Sequence, residues 1–133
     1  MEFINPKKIF GLGTGSTVNF LIHKIHETYI LKGQPINAVS TSSETTSLAT
    51  SLGINIVALD QVDELDVVID GADEVDTENN LIKGGGGALL MEKIVASCSK
   101  QFIIIVDSSK IVSKLGKFPL PVEVVQFGSE RIK

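Results

Sequence analysis

Tryptophan is absent from this 133-residue chain, tyrosine occurs once, and Cys98 is the single cysteine. One thiol excludes an internal disulfide framework, the usual mark of a small secreted domain. Cys98 reads as a small apolar residue on a helix face rather than as a catalytic thiol. Positive charge is also in short supply: 12 Lys and Arg stand against 16 Asp and Glu, a net charge of −4. That balance argues against a nucleic-acid-binding face, which would be basic. Any anionic ligand must therefore be held by local donors against an overall repulsive field. No apolar run approaches the roughly 18 residues of a membrane span. Met1 to Lys8, with Asn5, Pro6, Lys7 and Lys8 and no apolar stretch behind them, lacks a signal-peptide pattern. The expectation is a cytoplasmic protein with neither a nucleic-acid nor a membrane partner.

What is plentiful is aliphatic residues and glycine, within a composition of 43% hydrophobic and 21% charged residues. Such a composition is that of an ordinary globular domain, and the length suffices for one core. Aliphatic runs suit parallel strands buried on both faces. Ile9-Phe10 ends a short strand, Gly11 to Thr17 forms a glycine loop, and Val18 to Leu31 has helical spacing with Phe20, Leu21, Ile25 and Ile30 apolar. Pro35 to Val39 and Ile54 to Leu59 read as strands flanking a helix that starts at a Ser43 cap and stops at Gly53. Val67-Val68-Ile69 is a buried strand entering Asp70, Leu81-Ile82 a brief one, and Ala88 to Ser99 the most apolar helix. Phe102 to Val106 reads as the clearest central strand, and Lys117 to Val125 as a proline-edged extended segment. Strands alternating with helices predict an α/β fold: an open, mostly parallel, Rossmann-like sheet with helices on both faces.

In such a sheet ligands sit at the carboxyl ends of the strands. The Gly11 loop, Ser40 to Ser43, Asp70, and Asp107 to Lys110 each follow a predicted strand, so the polar clusters share one rim. Strand, glycine loop and helix aim free N–H groups and a positive helix end at an anion. Ser16 and Thr17 add hydroxyl donors there. The loop fits neither the dinucleotide fingerprint nor a P-loop, because the third glycine comes one position early and no Lys follows. A phosphate-binding turn of another kind, or a purely structural tight turn, remains. His23 and His26 lack further His or Cys partners for a metal and read as a solvated helix face.

The densest chemistry lies between Asp70 and Lys93, DGADEVDTENNLIKGGGGALLMEK. It holds the carboxylates Asp70, Asp73, Glu74 and Asp76, the lone Lys83, glycines 84–87, and Glu92 on the apolar helix. Four glycines in a row are costly to order, so they mark either a surface hinge or a close approach to a ligand. Burial on the apolar helix would disfavour the charged form of Glu92 and suit it to moving protons. Lys83 could stabilise an oxyanion formed when a proton leaves carbon. Glu74, Asp76 and Glu78 read as solvated loop charges. A phosphorylated substrate with protons to be moved matches this set; a non-catalytic sugar-phosphate sensor or a metal-dependent phosphotransfer site built on Asp70, Asp73 and Asp76 would use the same residues differently.

Taken in series, GLGTGST at Gly11 to Thr17, DGADEVD at Asp70 to Asp76, KGGGGALLMEKI at Lys83 to Ile94 and GKFPLPVEV at Gly116 to Val124 resemble ribose-5-phosphate isomerase of the A type. The resemblance implies interconversion of ribose 5-phosphate and ribulose 5-phosphate in the pentose phosphate pathway, with no metal or organic cofactor. It implies that Glu92 moves the proton through an enediol(ate), Lys83 stabilises charge on oxygen, and Asp70 assists ring opening with Asp73 beside it. Thr14, Gly15, Ser16 and Thr17 would contact the substrate and its phosphate, together with Gly71, Ala72, Gly84 and Lys110. Family members carry a helix before the glycine loop and a smaller α+β domain after the PVEV segment. Against that pattern the chain reads as shortened at both ends, chiefly the C-terminus. Residues 1–125 are expected to form the Rossmann-like catalytic domain and 126–133 the start of a truncated region. Assembly as a homo-oligomer, dimer or tetramer, is likewise implied, and loss of the C-terminal part would expose apolar surface on the last strands.

Overall fold

The structure, a computed structural model, describes residues Met1–Arg131. Its centre is a five-stranded parallel sheet in the order β3-β2-β1-β4-β7. The strands are β1 (Phe10–Leu12), β2 (Asn37–Ser40), β3 (Asn55–Ile56), β4 (Val68–Asp70) and β7 (Phe102–Ile104). Gly11 and Leu12 sit opposite Val68 and Ile69 in β4, and Phe10 to Leu12 opposite Ala38 to Ser40 in β2. A two-stranded antiparallel ribbon, β5 (Glu74–Val75) with β6 (Leu81–Ile82), stands beside the sheet.

Alternation along the strands sorts the core into two layers. Phe10, Leu12, Ala38 and Ile69 face a cluster with Val18, Ile22 and Ile25 of α1 (Ser16–Thr28) and Ala49 of α2 (Ser43–Ser51). Val39 and Val68 face the other way, against Leu65 and Val95, the latter on α3 (Leu89–Ser97). Helices therefore cover both faces. Gly11 is what lets α3 settle there: a Cβ at Gly11 would stand 2.6 Å from Val68 Cγ2 and 2.9 Å from Val95 Cγ1.

Several local expectations are corrected. Phe102 to Val106 is not central: β7 is an edge strand with β4 as its partner, and Phe102 is 41% exposed. Its aliphatic run reflects packing of Ile103 and Ile105 on one face of the sheet. The strand expected over Ile54 to Leu59 shrinks to Asn55–Ile56, since Leu59–Gln61 turns into a 3-10 helix. The cap of α2 is Ser42, not Ser43; its hydroxyl accepts from the Thr45 N–H at 3.1 Å, a contact worth about 1 kcal/mol. In α1 the apolar stripe is rotated from the expected one: Val18 and Ile22 are buried while Phe20 points outward at 77% exposure. The 117–125 segment, expected to be extended, begins with bends at Lys117 and Phe118 and joins no strand. Its Leu120, Val122, Val124 and Val125, with Phe127 beyond, are exposed apolar side chains.

Strand order reverses at β1, with β2 on one side and β4 on the other. The chain leaving β1 and the chain leaving β4 therefore diverge and open a crevice at their carboxyl ends.

Candidate active site

Gly13 follows β1 and has no room for a side chain, because the Asp70 carboxylate occupies the space where a Cβ would stand. Asp70, the last residue of β4, is fully buried. Its Oδ1 accepts from the N–H groups of Thr14 at 3.1 Å and Gly71 at 2.7 Å. Its Oδ2 accepts from Lys83 Nζ at 2.9 Å. The same ammonium donates to the Gly71 carbonyl and lies 3.0 Å from Glu92 Oε2. Lys83 is thus clamped between two carboxylates. β6 delivers it there by ending at Ile82.

Glu92 projects from the first turn of α3 and is 5% exposed. Its Oε2 makes the ionic contact with Lys83 without an aligned hydrogen bond. Burial pushes its pKa above the ordinary carboxylate value of 4.5, the Asp70 charge adds to that rise, Lys83 opposes it, and Asp73 contributes a smaller rise.

Glycines supply the walls. Gly15, at φ +108°, adopts a conformation that L side chains rarely take, and it begins α1 with no side-chain cap. The N–H groups of the first turn, with the Ser16 and Thr17 side chains, consequently border the opening. Opposite, the Gly85 N–H donates to Asp73 Oδ2 at 2.8 Å. The resulting hollow, about 110 Å³, is lined by Thr14, Gly15, Ser16, Thr17, Gly71, Ala72, Asp73, Lys83, Gly84, Gly85, Gly86, Glu92 and Lys110. Residues from five separate stretches of sequence meet in it.

Twelve residues singled out from the sequence are distributed plainly: eleven line the hollow, while Asp70 sits behind its wall and reaches it through Lys83. Gly85 and Gly86 belong to the lining as well; their membership in the glycine run was the available signal. Two buried hydroxyls were missed as supports. Thr41 Oγ1 and Thr14 Oγ1 are 2.8 Å apart, and Thr45 Oγ1 donates to the Gly13 carbonyl at 2.8 Å. The hydroxyl-rich run at the end of β2 was the trace of Thr41 in the sequence; Thr45 lies past it, within α2.

Three expectations outside the hollow change. Glu74 is not a solvated loop charge: at 2% exposure it accepts from the N–H groups of Gly116, at 2.7 Å, and Phe118. Asp76 organises its own turn, accepting from the backbone of Glu78 and Asn80 and from the Asn80 amide. His26 is not merely solvated, since its Nδ1 lies 2.7 Å from the Leu52 carbonyl. Among the described residues no three His, Cys, Asp or Glu side chains converge as metal ligands, and no helix is long and apolar enough to cross a membrane.

Compared with known proteins, residues 37–133 match the family model described as ribose 5-phosphate isomerase A (phosphoriboisomerase A). A curated ribose-5-phosphate isomerase A of Streptococcus pneumoniae serotype 19F (strain G54) is 54% identical over 131 residues, 98% of this chain and 58% of the relative. The crystal structure of ribose 5-phosphate isomerase A from Neisseria gonorrhoeae superposes with a TM-score of 0.90 at 48% identity, covering 98% of this chain and 57% of that one. A D-ribose-5-phosphate isomerase in complex with phospho-erythronic acid superposes with a TM-score of 0.93 at 44% identity, covering 98% of this chain and 58% of that one. The chain thus spans a little under three-fifths of the length of the relatives it matches.

Proposed function

The chain belongs to the ribose 5-phosphate isomerase A family, and on that premise we propose that it interconverts D-ribose 5-phosphate and D-ribulose 5-phosphate. In this reading residues 1–125 are the catalytic unit. The open-chain sugar lies in the hollow with its phosphate toward Ser16 and Thr17. The Glu92 carboxylate takes the proton from C2 of the aldose and electrons move onto the C1 oxygen; the O2 hydroxyl proton passes to O1, and the cis-enediol(ate) receives the first proton back at C1 as the C2 carbonyl forms. Lys83, held by Asp70, faces the oxygen that gains charge, where a pre-positioned cation acts at no cost of reorganisation. Asp70 assists ring opening through Lys83, which stands between it and the hollow. Asp73 orients the sugar hydroxyls with Gly84 and Lys110 nearby.

The observation that carries this reading is the buried Glu92, its pKa raised, 3.0 Å from Lys83 and opening into the same hollow as the Thr14 to Thr17 loop. No metal and no organic cofactor takes part in it. Self-association as a dimer or tetramer belongs to the same reading, supported by the exposed apolar groove of Leu89, Leu90, Pro121 and Val122. So does a cytoplasmic location without nucleic-acid partners, in keeping with the net charge of −4.

The test is an isomerase assay on the 133-residue chain beside the Streptococcus pneumoniae relative, with and without a chelator. Turnover indifferent to the chelator is the expected result. Loss of turnover on chelation would show that the reaction needs a metal and overturn the metal-free reading, and binding of ribose 5-phosphate without turnover would favour a sensor.

A further inference from the structure

Glu74 is a buried carboxylate that the chemistry above does not use. No lysine or arginine forms an ion pair with it among the described residues; its two oxygens instead take the backbone N–H groups of Gly116 and Phe118, more than forty positions along the chain. A carboxylate is expensive to bury unless its oxygens are hydrogen-bonded, and backbone N–H donors to a carboxylate are among the stronger such bonds. These bonds anchor the backbone that carries the Phe118 side chain. A Cβ at Gly85 would stand 2.9 Å from Phe118 Cζ and 2.7 Å from Asp73 Oδ1. Gly85 therefore lies close both to that ring and to the carboxylate to which its own N–H donates.

The strand carrying Glu74 ties in the remaining parts. β5 pairs with β6, which runs directly into Lys83. Val75 bridges to Ile111, next to Lys110, and its carbonyl accepts from the Val112 N–H at 2.9 Å. From the Glu74 bonds and the Phe118–Gly85 contact we infer that Glu74 is a positioning residue for the proposed isomerase reaction: through Phe118 it fixes the glycine wall of the hollow and, with it, the Gly85–Asp73 hydrogen bond. Four glycines cannot hold one conformation by themselves, because each has wide backbone freedom. A ring pressed on one of them from outside supplies the missing restraint. The inference rests on the isomerase reading only for its kinetic consequence.

The experiment compares Glu74→Gln and Phe118→Leu with the unsubstituted chain by backbone-amide NMR and by kinetics on ribose 5-phosphate. An amide at position 74 must turn an N–H toward one of the two donors and loses that bond. In Glu74→Gln, hydrogen exchange at Gly85 and at one of Gly116 and Phe118 should accelerate about tenfold, the scale of one net hydrogen bond, while Val68 and Ile69 stay protected. Phe118→Leu should accelerate Gly85 alone, leaving Gly116 held. KM should rise about tenfold in both variants with kcat within threefold, because Glu92 and Lys83 lie on other elements. Unaltered exchange at Gly85 in either variant overturns the inference, as does a loss confined to kcat. The exchange measurement decides it even if the unsubstituted chain turns over no sugar, an outcome that would count against the isomerase reading alone.

Discussion

Lys83 Nζ lies 3.0 Å from Glu92 Oε2, and the carboxylate it meets is nearly excluded from water. The pair joins a residue following a short antiparallel ribbon to one in the first turn of a helix nine positions later, across the glycine run. The same ammonium also serves Asp70. One cation between two buried carboxylates leaves Glu92 incompletely neutralised, which is the condition for a proton acceptor that is also easily protonated.

Replacing Glu92 with Gln removes the acceptor and keeps the shape of the side chain. Isomerisation should fall by roughly 10²- to 10⁴-fold with sugar-phosphate binding retained. The check is exchange of the C2 proton with solvent deuterium. Persistence of that exchange in the variant would rule out Glu92 as the base.

The raised pKa of Glu92 also makes a statement about stability. Below the unfolded value near 4.5 the group is protonated in both states; between that value and its higher folded one, the folded chain holds more proton than the unfolded chain. Stability linked to Glu92 is therefore present at low pH and is lost as pH rises through the folded pKa. The melting temperature of Glu92→Gln minus that of the unsubstituted chain should become more positive as pH increases across this window. A difference that is flat with pH, or that falls, would contradict the assigned direction. In the proposed reaction Glu92 acts as base only when ionised, so kcat/KM should rise with pH over the same interval.

Ser16 and Thr17 border the hollow at the start of α1, beside an N-terminus that Gly15 leaves uncapped by any side chain. Changing both to Ala should weaken a phosphorylated pentose about tenfold or more, as loss of one or two hydrogen bonds to a charged group would. The unphosphorylated sugar should be affected far less. Calorimetric titration of both sugars separates the cases, and equal losses would remove the phosphate from this end of the hollow.

Gly13 carries a different sensitivity. A methyl group there would overlap the Asp70 carboxylate, whose Oδ1 stands 1.8 Å from the Cβ position. Gly13→Ala should cost on the order of 3 kcal/mol of stability, at the upper end of overpacking, and should disturb Lys83 through Asp70. Denaturant titration measures the first effect. A change under about 0.5 kcal/mol, typical of a neutral surface site, would mean that Asp70 has another place to go.

Much of this was legible beforehand. Alternating strands and helices predicted the parallel sheet, because buried parallel strands are aliphatic and their crossovers need helices. The rim was legible too, since Gly13 to Thr17 follow β1, Asp70 ends β4 and Lys110 comes a few residues after β7. Glu92 was identifiable as the carboxylate on the most apolar helix, and burial raises its pKa as that position implies.

Other features depend on contacts between residues far apart, which no local pattern carries. Glu74 and Asp76 belong to the same acidic stretch, yet Glu74 is buried under the Gly116–Phe118 turn and Asp76 closes its own turn in the open. Phe102 to Val106 looks central by composition, and its edge place follows from the strand order. The character of each residue and its place along a strand or helix were thus set by the amino-acid sequence, since backbone geometry repeats every few residues. Which distant N–H met which carboxylate, and so which charges became part of the site, was decided by the tertiary structure, because a buried oxygen is satisfied by whatever donor the packed chain brings within about 3 Å of it.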